Sequence, residues 1–87
     1  MNSIDFFNKS KEIYKINNIA NEEEKNLLYA LYYQSTIGNI NLPITNNSRI
    51  DYNKLIIWNT LKNMSKEDAE DKFIINIDNL FIKYNIN

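Results

Sequence analysis

Apolar residues recur at helical spacing in four separate stretches of this 87-residue chain. Side chains three and four residues apart share one face of a helix, so each stretch can bury a face against the others. The stretches follow one another closely and leave no room for a sheet. The pattern therefore predicts an all-α fold, a bundle of four helices with one long connection.

The first helix is predicted to begin after Ser3, whose hydroxyl suits the N-cap position. It is expected to end near residues 17–18. The residues that give this stretch its helical spacing are Phe6, Phe7, Ser10, Ile13, Tyr14 and Ile16.

The second helix has a clear signal at each end. Asn21 followed three residues later by Glu24 predicts a capping box, in which each side chain bonds to the other residue's backbone N–H. The apolar pattern continues to Ile37. Gly38, the only glycine in the chain, suits the left-handed conformation that often follows a helix.

The connection over residues 38–49 is predicted to lack regular structure, because it contains Pro43 and several turn-forming residues. Asp51 is predicted to cap the third helix, and Ser65 with Asp68 to form a capping box at the start of the fourth. The apolar stripe of the fourth helix comprises Ala69, Phe73, Ile77, Leu80, Phe81 and Tyr84.

The amino-acid composition excludes several classes of function. The chain has no cysteine and no histidine, which excludes disulfides, thiolate or imidazole catalysis and the usual zinc sites. The formal net charge of -1 does not favour nucleic-acid binding, which needs a basic surface. No apolar run approaches the roughly 18 residues of a membrane span, and the N-terminus is too short and polar for a secretory signal. We therefore expect a single domain, residues 1–87, in the cytoplasm.

The acidic residues do not indicate an enzyme. The run Glu22–Glu24 and the group Asp68, Glu70 and Asp71 are best explained as helix caps and solvated helix faces. No carboxylate comes with a histidine, cysteine or metal site that would define a mechanism. We expect no catalytic residue, no bound metal and no cofactor.

One segment combines an aromatic helix face with the single glycine. Tyr29, Tyr32 and Tyr33 share one side of a helix. By itself, such a face is more often half-buried core than a binding site. However, the order Tyr-x-x-Tyr-x-Gln-Ser-Thr-x-Gly-x-Ile-Asn from Tyr29 resembles the signature of the acyl-CoA-binding protein family. A second similar block follows and extends the resemblance over nearly the whole chain: Lys54-x-x-x-Trp58, then Leu61-Lys62-x-x-Ser65-Lys66-Glu67-Asp68-Ala69.

The resemblance implies an up-down-down-up order of the four helices and non-covalent binding of long-chain acyl-CoA. It places the coenzyme A head group on the second and third helices. The implied ligand-binding residues are Tyr29, Tyr32, Tyr33, Lys54 and Phe73, with Leu28 and Leu55 beside the acyl chain.

Four positions depart from the family pattern. Tyr33 and Tyr14 stand where the family usually or often has a lysine, Leu55 where it has a tryptophan, and Phe73 where it has a tyrosine that bonds the ligand. Losing a charge-assisted contact is expected to weaken binding about ten- to a hundredfold. Three cations near these positions could compensate, namely Lys11, Lys15 and Arg49.

The retained family residues and the substituted ones together leave two functions open. The first is a monomeric intracellular carrier that holds acyl-CoA with reduced affinity or a shifted chain-length preference and delivers it to acyl-CoA-using lipid enzymes. The second is a diverged family member that keeps the bundle but serves as a protein-interaction module or binds another lipid.

Overall fold

The computed structural model describes residues 3–47 and 49–86. Within them the chain forms four α-helices and one short 3₁₀ turn, and no strand occurs in these two ranges. The prediction of an all-α, four-helix fold is confirmed. The helices are α1 (Ser3–Ser10), α2 (Glu22–Thr36), α3 (Tyr52–Thr60) and α4 (Lys66–Lys83), with the 3₁₀ turn at Ile13–Lys15.

The first helix is shorter than predicted. Its described residues begin at Ser3, and it ends at Ser10 instead of near residue 17. The predicted cap by the Ser3 hydroxyl lies outside the described side chains. From Glu12 to Asn17 the backbone bonds reach back three residues, as from Ile16 N to the carbonyl of Ile13 (3.0 Å). In a 3₁₀ turn residues three apart eclipse one another, which lets Ile13 and Ile16 both point into the core. Tyr14 is left exposed between them.

Two of the three caps predicted for α2, α3 and α4 form. The Asn21 side chain accepts from the Glu24 N–H at 2.8 Å, and the Glu24 carboxylate accepts from the Asn21 N–H at 3.0 Å, which completes the capping box. Ser65 caps α4 by accepting from the Asp68 N–H (3.0 Å), which is one half of the predicted box. Asp51 occupies the N-cap position of α3, but its side chain accepts no backbone N–H and lies 3.7 Å from Lys54 Nζ instead.

Pairs of contacts at different heights fix the relative directions of the helices. Two pairs join α1 and α4, namely Phe6 with Phe73 and Lys9 with Asp78. Two join α2 to α4 and the residues just before it, namely Glu24 with Lys83 and Gln34 with Met64. Two join α2 and α3, namely Tyr29 with Lys54 and Tyr33 with Trp58. The first two show that α1 and α4 run parallel. The next two show that α2 and α4 are antiparallel, and the last two that α2 and α3 are parallel. The order of the bundle is therefore up, down, down, up, as predicted.

The core has two parts. The larger lies between α1, the 3₁₀ turn, α2 and α4, and the smaller lies between α2 and α3. The predicted stripe of α4 faces the larger part from Phe73 to Tyr84, and Ala69 is buried outside both parts. Ala30, Leu55 and Trp58 form the smaller part and are fully buried. The long connection carries no helix or strand in residues 38–47 and 49–50, which agrees with its predicted irregularity.

A polar network around the buried Gln34 side chain, here called the Gln34 network, joins α2, α3 and the connections at their ends. Gln34 Nε2 donates to the carbonyl of Met64 (2.7 Å) and to Asn39 Oδ1 (3.0 Å). Trp58 Nε1 donates to Gln34 Oε1 (3.1 Å) and to the carbonyl of Gly38 (2.9 Å). Gly38 has the predicted left-handed backbone, with φ of 100°. The network fixes how α2 and α3 lie side by side.

Glu24 links the start of α2 to the end of α4. Its carboxylate accepts from Lys83 Nζ (2.5 Å) and from the hydroxyl of Tyr84. Together with the N–H of Asn21, these donors lower the pKa of Glu24 to about 2, Lys83 contributing most.

This shift predicts a pH-dependent stability. Because the folded pKa of Glu24 lies below its ordinary value, the carboxylate stabilises the fold above about pH 4.5, and the effect is lost as the pH falls toward 2. Urea unfolding of wild type and Glu24→Gln across this range should show a difference at neutral pH that shrinks on acidification. A difference independent of pH would contradict this role.

Candidate ligand-binding site

Three tyrosines form a half-buried aromatic face on α2. Tyr29, Tyr32 and Tyr33 are neighbours on one side of the helix, with ring centroids 6.5 Å apart for Tyr29–Tyr33 and 6.1 Å for Tyr32–Tyr33. All three are of intermediate exposure. The predicted cluster therefore exists, and part of each ring can be reached from the surface.

Lys54 lies against this face from α3. Its Nζ is 5.2 Å from the centre of the Tyr29 ring, in the range of a cation–π contact. The Tyr29 hydroxyl donates to Asn17 Oδ1 (3.1 Å), which fixes the ring. The nearest carboxylate to Lys54 is that of Asp51. The structure thus brings together the predicted Tyr29 and Lys54.

Tyr33 is the member of the tyrosine face that packs against the smaller core. Its ring centroid is 5.2 Å from that of Trp58. Burial, with smaller contributions from Tyr29 and Tyr32, raises the pKa of the Tyr33 hydroxyl. The side chain is therefore neutral at physiological pH and supplies no charge here.

Tyr32 faces the larger core. Its ring is roughly parallel to that of Phe6 at 6.0 Å and lies 6.2 Å from Phe73. The Phe73 ring is fully buried, as are Leu28 in the larger core and Leu55 in the smaller. Because these three side chains are fully buried, their direct contact with a ligand stays a prediction.

Two residues near the site were not singled out from the sequence. Asn17 accepts from Tyr29 and also, through its backbone carbonyl, from Lys25 Nζ (3.2 Å). Lys25 precedes Tyr29 by four residues, so helical periodicity alone could have placed it on the same face. The contact with Asn17 could not have been found that way, because the 3₁₀ turn that positions Asn17 was not predicted.

The three proposed compensating cations are placed differently. Lys11 lies over the ring of Phe7, 4.2 Å from its centre, and Lys15 pairs with Glu12 at 2.9 Å. Arg49 is exposed in the long connection. The contacts of Lys11 with Phe7 and of Lys15 with Glu12 do not involve the three tyrosines.

The acidic residues are mostly placed as predicted. Glu22, Glu23, Asp68 and Asp71 are exposed. Glu70 is an exception, because only 9% of it is exposed and its Oε1 has no hydrogen-bond partner in the described part of the chain, so it does not belong to a solvated face. No group of three or more acidic residues within residues 3–47 and 49–86 could hold a metal ion. In the same ranges, no helix has the length and apolar character needed to cross a membrane.

The molecule is thus an all-α bundle with a half-buried tyrosine face beside a lysine. The family model described as Acyl CoA binding protein matches residues 4–77. The chain is 36% identical over 81 residues to Acyl-CoA-binding protein 2 of Saccharomyces pastorianus, an alignment that covers 91% of this chain and 92% of that protein. Identity and coverage are the same for the Acyl-CoA-binding protein of Saccharomyces cerevisiae.

The crystal structure of Oryza sativa Acyl-CoA-Binding Protein 2 matches with a TM-score of 0.85 at 24% identity, covering 95% of this chain and 93% of that one. The chain belongs to the acyl-CoA-binding protein family. Members of this family are binding proteins and not enzymes, so the prediction that the chain catalyses no reaction is confirmed.

Proposed function

We propose that this protein binds long-chain fatty acyl-CoA non-covalently and serves as an intracellular carrier. The observation that best supports the proposal is the position of Lys54 over the ring of Tyr29, at the edge of the tyrosine face. A cation beside partly exposed aromatic rings matches the chemistry of the coenzyme A head group, which combines phosphates with a flat adenine ring.

The head group is proposed to lie across the second and third helices. Tyr32 offers a ring face for stacking and a hydroxyl that can donate to a phosphate oxygen, whereas Tyr29, whose hydroxyl donates to Asn17, offers its ring. Lys54 offers a charge-assisted hydrogen bond to a phosphate. Tyr33 contributes an aromatic edge without charge, and this is one reason to expect a lower affinity than a lysine would give.

The acyl chain is proposed to reach the apolar interior near Leu28 and Leu55, with Phe73 supporting Tyr32 from below. Because all three side chains are fully buried, the chain must displace neighbouring groups to contact them. Binding to a state that is only partly populated lowers the apparent affinity by the populated fraction. The depth of burial therefore also favours a modest affinity or a shorter preferred chain.

A calorimetric titration of delipidated protein with palmitoyl-CoA, free coenzyme A and palmitate tests the proposal. We expect saturable binding of palmitoyl-CoA that is tighter than binding of either control. Binding of palmitate alone would show that the bundle holds another lipid. Binding of none of the three would favour the second function, a diverged interaction module.

The finer features of the carrier are proposed with it. The protein acts in the cytoplasm as a monomer made of one domain, residues 1–87, and passes its ligand to acyl-CoA-using lipid enzymes. It needs no cofactor, because the thioester is held and not transformed.

A further inference from the structure

Lys25 and Tyr29 converge on the same residue. Lys25 Nζ donates to the backbone carbonyl of Asn17 at 3.2 Å, and the Tyr29 hydroxyl donates to the side chain of Asn17 at 3.1 Å. Because both donors bond to Asn17, the ammonium and the hydroxyl lie close together. The tyrosine ring thus has Lys25 near its hydroxyl and Lys54 over its face.

Each of these two lysines forms an ion pair with a carboxylate on its own helix or at the start of it, and in both pairs the carboxylate is more exposed than the lysine. Lys25 Nζ lies 2.9 Å from Glu22 Oε1, with side-chain exposures of 21% for Lys25 and 73% for Glu22. Lys54 Nζ lies 3.7 Å from Asp51 Oδ2, with exposures of 20% and 49%. Exposed ion pairs contribute little to stability, so a ligand with several negative charges can displace these carboxylates.

We propose, on the basis of the proposed function, that Lys25 supplies a second cation to the phosphates of the coenzyme A head group. An ammonium has three N–H donors, and two of those of Lys25 are directed to Asn17 and Glu22. Exchanging the exposed Glu22 for a phosphate keeps the bond to Asn17, which holds the ammonium beside Tyr29. The charge that Tyr33 cannot supply thus comes from a residue two turns earlier on the same helix.

The test compares two ligands that differ in their phosphates. Palmitoyl-CoA carries the whole head group, whereas palmitoyl-pantetheine carries the same chain and arm without phosphates. We expect Lys25→Gln to weaken binding of palmitoyl-CoA about tenfold, the loss of one charge-assisted contact. It should leave binding of palmitoyl-pantetheine unchanged, and Lys25→Arg should retain most of the affinity for palmitoyl-CoA.

Lys62→Gln is the matched control, because it removes one positive charge from an exposed lysine beyond the end of α3. It should lower the affinity for palmitoyl-CoA far less than Lys25→Gln. Equal effects of the two substitutions would mean that net charge matters and that Lys25 has no particular position.

Two further results would overturn the inference. If Lys25→Gln weakens both ligands equally, the lysine acts only by holding Asn17 and α2 in place. If it weakens neither, Lys25 does not contact the head group although acyl-CoA binding itself stands. A wild-type chain that binds no palmitoyl-CoA would instead remove the proposed function, and the role of Lys25 with it.

Discussion

Replacing Trp58 with alanine should lower the free energy of unfolding by about 3–5 kcal/mol, the range measured for aromatic-to-alanine changes in cores. The indole ring is fully buried between α2 and α3. Its removal leaves a cavity beside Leu55 and takes the donor away from Gln34 Oε1 and from the carbonyl of Gly38. Since small domains are stable by only about 5–15 kcal/mol, this one change should bring the protein close to unfolding.

Urea denaturation followed by circular dichroism measures the effect. Trp58→Phe separates its two causes, because it keeps an aromatic ring and removes the N–H, and it should be less damaging than alanine. Ile75→Ala is the control, since Ile75 is exposed on α4 and its loss should change stability by no more than about 0.5 kcal/mol. A Trp58→Ala protein as stable as the Ile75→Ala protein would show that the Gln34 network does not hold α2 and α3 together.

The coupling within the Gln34 network can be measured separately. Gln34→Leu and Trp58→Phe each remove one end of the bond between their side chains. If the bond stabilises the fold, the double substitution should be less destabilising than the sum of the two, by about 0.5–3 kcal/mol. An additive result would mean that Trp58 acts through its packing alone.

Sequence reasoning predicted the helices best where a helix has its own start and stop signals. Asn21 with Glu24 and the single Gly38 mark α2 to within a residue, because capping bonds are local and involve side chains close in sequence. The first helix lacked a stop signal. Its end at Ser10 depends on packing of Ile13 and Ile16 against α2 and α4, which local periodicity does not contain.

Some residues of the signature segment hold the core together and others form the tyrosine face, and the residue types alone do not show which does which. Gln34 and Gly38 resemble parts of a ligand motif, yet in the structure both accept hydrogen bonds from the buried indole of Trp58. Tyr29, Tyr32 and Tyr33 of the same segment are half-buried, and part of each ring reaches the surface. A polar residue in a motif can bond either to a ligand or to a buried indole, and the sequence looks the same in both cases. Only the fold shows which residues of the segment have which role.

Depth of burial was the other feature that the sequence could not supply. Helical spacing identifies which face of α2 is apolar, but not how far the neighbouring helices cover it. Leu28 and Leu55, predicted beside an acyl chain, are completely covered in the described structure. How a chain would reach them depends on the side-chain rearrangement that binding can drive, which is a property of the complex.

Replacing Lys54 with alanine should weaken binding of palmitoyl-CoA about ten- to a hundredfold, because a charge-assisted hydrogen bond contributes about 1.5–3 kcal/mol. The substitution should leave the fold intact. Lys54 lies in the first turn of α3, where the helix dipole disfavours a positive charge, and its pair with Asp51 is partly exposed and long. An unchanged urea midpoint would verify this before binding is measured.

Calorimetry on Lys54→Ala and on Lys62→Ala gives the comparison that decides the assignment. Both variants lose one positive charge from the region of α3, but only Lys54 lies over the Tyr29 ring. We expect the loss of affinity in Lys54→Ala alone, and we expect it to diminish as salt is raised, because the contact is electrostatic and partly exposed. Unchanged affinity in Lys54→Ala would mean that the head group does not lie on the second and third helices. Because the Tyr29 hydroxyl also bonds to Asn17, a loss of affinity in Lys54→Ala is expected to come from the missing charge and not from a displaced aromatic ring.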